Sequence, residues 1–151
     1  MLQEPHWSGT LQTSGQPNAT EGHVSVAAGG NQHVPPTMRL WAMDARVRHG
    51  AVLTDRTLLR TIMYGAAEAG GATVLGEEFC VFDNLAVTGV LVLAQSHLSI
   101  HTWPEFSLAN IDLLSYGALQ GEAVLRLIAR QLDAECVSIS CVLRSPPSQT
   151  E

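Results

Sequence analysis

Four strand-like runs follow one another between residues 72 and 115, and this succession commits the chain to a sheet of mostly antiparallel neighbours. Ala72 to Phe82 is the first, with a turn signal at Gly76-Glu77. Val87 to Ala94 is nearly all apolar and β-branched, which predicts a central buried strand. Leu98 to Trp103 is the third, interrupted by Pro104, and Leu108 to Ser115 the fourth, with one acid, Asp112. Upstream, Met38 to Val47 reads as a strand and Gly50 breaks it. Thr54 and Asp55 then open a helix, with Thr54 as its N-cap. Leu58, Leu59, Ile62, Met63 and Ala66 repeat at helical spacing on its inner face, up to Gly70-Gly71. Downstream, Glu122 to Leu132 is helical, with Val124, Leu125, Leu127, Ile128 and Leu132 inward and Arg126 and Arg130 outward. Cys136 to Leu143 alternates as a last strand. The order β-α-β-β-β-β-α-β predicts an α+β fold, a mostly antiparallel sheet with two helices on one face. The other face then needs cover, and a sheet-on-sheet αββα homodimer supplies it.

Composition narrows the partners. The chain has 151 residues, enough for one domain, and 46% are hydrophobic, enough for a core. Its net charge is −6 and it has no basic stripe, which argues against nucleic acid. No apolar run reaches the roughly 18 residues of a membrane span, and no secretory signal is visible. Cys80, Cys136 and Cys141 are too few and too odd for a disulfide scaffold, so a reduced cytoplasmic setting is expected. All 8 basic residues are Arg. Without Lys, the chain cannot hold pyridoxal phosphate as an internal Schiff base, nor supply a P-loop lysine. Residues 1–36 are rich in Gly, Ser, Thr, Gln and Asn and are expected to form a disordered tail. His6, His23 and His33 within them match no ligand spacing. The expected domain is 37–145, followed by a polar tail at 146–151.

Reactive residue types concentrate in Gln95-Ser96-His97-Leu98-Ser99-Ile100-His101-Thr102-Trp103-Pro104-Glu105. His97, His101 and Glu105 would share a helical face as metal ligands, but Pro104 and the β-branched residues oppose a helix. On a strand the two histidines stand roughly 13 Å apart, too far for one ion. A serine-hydrolase reading lacks the G-x-S-x-G elbow, and on a regular strand His97 points away from Ser96. The residues alone also allow a plain strand end with no special role.

The run Ser96 to Glu105 resembles the signature of the prokaryotic S-adenosylmethionine decarboxylases, pyruvoyl-dependent enzymes of spermidine and other polyamine biosynthesis. The likeness extends over roughly Met38 to Leu143, through Ala67–Leu75, Val87-Thr88-Gly89-Val90 and Ile111-Asp112-Leu113. The first 36 residues match nothing in the family. The resemblance implies a self-processing proenzyme cut between Gln95 and Ser96. Ser96 attacks the preceding carbonyl, the amide becomes an ester, and β-elimination followed by hydrolysis leaves a pyruvoyl group. That group forms a Schiff base with the substrate amine and replaces pyridoxal phosphate; no metal is implied. His101 corresponds to the base of the β-elimination, a role suited to imidazole near neutral pH. Thr88 corresponds to a second processing hydroxyl, a serine in the family. Phe82 corresponds to the aromatic that stacks on adenine, and Glu105 to the acid that holds the ribose hydroxyls. Two positions depart from the pattern. Gln95 replaces the usual Glu or Lys, and Tyr116 stands where the family has its proton-donating cysteine. A phenol is the weaker acid and the larger group. The implied small-molecule substrate is S-adenosylmethionine. L-ornithine or L-arginine, used by some homologues, and an unprocessed pseudoenzyme are the alternatives.

Overall fold

The computed structural model describes residues 37–145. The expected tails, 1–36 and 146–151, lie outside the described residues. Six strands, β1 (Met38–Val47), β2 (Val74–Val81), β3 (Val87–Leu93), β4 (Ser96–Trp103), β5 (Leu108–Tyr116) and β6 (Ala134–Arg144), form one sheet in the order β2-β3-β4-β5-β1-β6. Every pairing is antiparallel. Helix α1 (Arg56–Ala69) joins β1 to β2, and α2 (Gly121–Gln131) joins β5 to β6. The element order and the α+β class match the expectation from periodicity.

Both helices pack on one sheet face and on each other. That face supplies Met43 and Ala45 from β1, Leu91 from β3, Ile100 from β4 and Ile111 from β5, all buried. Leu59 and Met63 of α1 and Leu125 and Ile128 of α2 close over them. Burying one such side chain stabilises the fold by about 1.5–3 kcal/mol. Gly89 of β3 lies opposite Phe79 of β2, and an added Cβ would overlap the Phe79 ring. The small residue lets that ring lie flat on the sheet and tie the edge strand to the core.

Several details correct the sequence reading. Asp55, not Thr54, caps α1: its carboxylate accepts from Leu58 N–H at 2.9 Å. The Thr54 hydroxyl is used elsewhere, donating to Ala51 O at 2.9 Å to close a 3₁₀ turn over Gly50–Thr54. Leu58 is 40% exposed rather than core. β3 is one strand in from the edge and alternates in burial, with Val92 49% exposed, because helices cover only one face. Gly76-Glu77 is no turn; the strand continues through a register shift between Val74 and Gly76. α1 is tied to β2 by Arg60, which donates from Nε to Glu77 at 2.7 Å and lies 4.5 Å over the Tyr64 ring. That hydrogen bond holds the Glu77 carboxyl below its usual range, against the opposing effect of partial burial.

Candidate active site

The chemistry-bearing residues gather at the two ends of β4 (Ser96–Trp103). At its start, Ala94 and Gln95 form the two-residue turn from β3. The turn is pinned to Thr73 on both sides: Ala94 N–H donates to Thr73 O at 2.9 Å, and Thr73 N–H donates to Gln95 Oε1 at 3.3 Å. Ser96 follows with φ +143°, a conformation that side chains other than glycine rarely adopt and that costs about 1–3 kcal/mol. This irregularity overturns one sequence inference. On a regular strand Ser96 and His97 would diverge, but here Ser96 Oγ lies 3.2 Å from His97 Nδ1. Gln95, Ser96 and His97 are all half-buried.

At the far end the contacts come from regular pairing. Thr88 of β3 lies directly opposite His101 of β4, and its Oγ1 is 3.0 Å from His101 Nδ1. The same transverse row continues through Asn110 of β5 and Asp44 of β1 on the helix-free face. Asn110 donates to Asp44 Oδ1 at 2.6 Å and accepts from Trp103 Nε1 at 2.7 Å, which fixes the indole. Behind the row, Thr102 is buried; it accepts from Val87 N–H at 2.7 Å and donates to Leu53 O at 2.9 Å. A cavity of about 290 Å³ opens here, lined by Phe82, Asn84, Thr88, His101 and Trp103 among others. Sequence reasoning missed Asn84, Asn110, Asp44 and the wall role of Trp103. The two-residue step from His101 to Trp103 was the available signal, since i and i+2 share a sheet face.

Other expected partners are kept apart within one chain. Ser96 and His101 are five residues apart on one strand, about 16 Å. Glu105 sits in the short 3₁₀ turn after β4 and lines a different cavity, with Arg46, Arg48 and Glu135, rather than the one bearing Phe82. Tyr116, the last residue of β5, is exposed and lies at the Ser96 end, since His97 pairs with Leu114. Among the described residues no three His, Cys, Asp or Glu side chains converge as a metal site. None of the described helices is long and apolar enough to cross a membrane.

Comparison with known proteins adds a second line of observation. A family model described as S-adenosylmethionine decarboxylase matches residues 39–145. An S-adenosylmethionine decarboxylase proenzyme of Symbiobacterium thermophilum is 49% identical over 82 residues, 54% of this chain and 62% of that protein. One from Prochlorococcus marinus is 37% identical over 99 residues, 65% of this chain and 79% of that protein. The first of these matches thus spans about three fifths of the relative's own length. The crystal structure of the adenosylmethionine decarboxylase from Aquifex aeolicus superposes with a TM-score of 0.63 at 27% identity, covering 77% of this chain and 96% of that one.

Proposed function

The chain belongs to the S-adenosylmethionine decarboxylase family, and from that membership we propose that it is a self-cleaving decarboxylase of S-adenosylmethionine serving polyamine biosynthesis in the cytoplasm. The observation that carries the reading is the Thr88–His101 pair on the wall of a cavity bearing Phe82 and Trp103. Two aromatic walls suit a purine, and their π faces suit the sulfonium cation beside it. Glu105 lines the neighbouring cavity, so a contact with the ribose hydroxyls would require the ligand to extend from the Phe82 cavity toward it.

Cleavage between Gln95 and Ser96 would generate the pyruvoyl group from Ser96. When formed, that group supplies a ketone electrophile that captures the substrate amine and takes up electrons as CO₂ leaves. The strained turn supports Ser96 as its precursor, because a cut after Gln95 releases the unfavourable φ. His101, held by Thr88, is the base that removes the Ser96 α-proton during processing. The separation of about 16 Å between Ser96 and His101 along one strand supports a second copy bringing its His101 to this chain's Ser96. The helix-free sheet face, with exposed Val92 and Val142, is the surface on which the copies would meet. Tyr116, at the Ser96 end, is the acid available to return a proton to the substrate carbon.

Tyr116 also favours a second reading, a pocket reshaped for L-ornithine or L-arginine. Intact mass spectrometry and CO₂ release from the three substrates test both. We expect two fragments, the C-terminal one covering residues 96–151 with a blocked N-terminus, and release from S-adenosylmethionine. A single uncut species would refute the enzyme reading. Release from an amino acid alone would move the substrate.

A further inference from the structure

Resting on the self-cleavage reading above, we propose that His97 is the general base and acid of the first processing step, the acyl shift from nitrogen to oxygen at Ser96. Three observations converge on it. Ser96 Oγ, the attacking atom, is 3.2 Å from His97 Nδ1, whereas His101 of the same chain stands at the other end of β4. The contact accompanies a φ of +143° at Ser96, whereas regular alternation would point the two side chains to opposite faces. The attacked carbonyl belongs to Gln95, whose side chain and whose neighbour Ala94 are both anchored to Thr73. The turn therefore holds nucleophile, base and electrophile together before any second copy arrives. Directly across from His97 are Val92 and Leu114, which offer no competing hydrogen-bonding side chain.

The step balances with no outside reagent. His97, with its proton on Nε2, accepts the Ser96 hydroxyl proton at Nδ1 as Oγ bonds to the Gln95 carbonyl carbon. The C–N bond then breaks, and the imidazolium returns a proton to the departing Ser96 nitrogen. The products are an ester between Gln95 and Ser96 and a free Ser96 amine. Elimination across that ester is a separate event and falls to His101. The two histidines of the run thus divide the processing between them.

The test follows cleavage of freshly purified full-length protein by gel and intact mass, with and without hydroxylamine, which cuts esters and spares amides. His97→Ala and His97→Gln are expected to process about 10²–10⁴-fold more slowly, and the uncut chain should resist hydroxylamine. Added imidazole should recover part of the rate in His97→Ala, a rescue that a purely structural defect would not show. His101→Ala should instead accumulate an uncut chain that hydroxylamine splits. Wild-type rates in both His97 variants, or a hydroxylamine-sensitive ester in them, would overturn the proposal while leaving the decarboxylase reading intact. A wild type that never cleaves would overturn that reading and this proposal with it.

Discussion

Ser96 and His101 lie on the same strand, yet the first meets its partner through an irregular backbone and the second through regular register. At the Ser96 end, one φ of +143° turns two adjacent side chains toward each other. At the His101 end, directly opposed positions on β3 and β4 do the work, and Asn110 and Asp44 extend the row. A contact set by register is fixed wherever the strands pair. A contact set by one unusual φ needs its turn held, and Thr73 holds it.

The largest effect is expected from crossing the two ends. Ser96→Ala alone and His101→Ala alone should each leave the chain uncut by mass spectrometry. Co-expressed, they should restore cleavage of the His101→Ala chain, whose intact Ser96 meets the other copy's His101. Failure of this rescue, with mixed dimers confirmed, would mean that the two ends act within one chain. Next comes Thr88→Ala, which removes the hydroxyl beside His101 and should slow processing, while Thr88→Ser should retain it. If both behave alike, the register contact has no chemical role. Tyr116→Phe should cleave normally and lose about 10²-fold in turnover if the phenol is the acid; unchanged CO₂ release would reduce it to a filler of space.

The smaller effects concern what holds the ends in place. Gly89→Ala should destabilise the fold by about 1–3 kcal/mol in urea, because the new methyl would overlap the buried Phe79 ring and force it to shift. If Thr88, the neighbouring residue, still supports processing there, the register survives the strain. Glu77→Gln should lower Tm slightly at neutral pH. The folded pKa of Glu77 is depressed, so its contribution is present above the unfolded pKa and lost as pH falls through the folded one. The wild-type and variant melting curves should therefore converge in acid.

Periodicity in the sequence was enough for the order of elements, since each strand alternates or runs apolar and each helix shows a 3.6-residue stripe. It failed where two local solutions compete. Thr54 and Asp55 are both good caps, and only the 3₁₀ turn ahead of them decides which hydroxyl or carboxylate is free. The apolar run of β3 looked central because its solvent-side residues, Val90 and Val92, are themselves apolar. Thr88 and His101 were named from the family resemblance, and register brings them together. Ser96 and His97 were misjudged because a positive φ at a serine has no compositional signal; a glycine there would have announced it. Phe82 and Glu105 were expected around one ligand, but the 3₁₀ turn after Pro104 carries Glu105 to a neighbouring cavity.

The strand order has a further consequence for a chain cut between Gln95 and Ser96. One piece would carry β1, β2 and β3 and the other β4, β5 and β6, yet in the sheet they run β2, β3, then β4, β5, then β1, then β6. Three ladders, β3 with β4, β5 with β1, and β1 with β6, would join the pieces without a covalent link. β1 is hemmed in on both sides by the other piece and can leave only by stripping two ladders at once. The cut protein would keep its shape, but after denaturation its halves would have to find each other in solution, an encounter that slows with dilution while aggregation competes. The uncut chain would refold as a single piece; the mature one would be assembled once and, when lost, replaced rather than repaired.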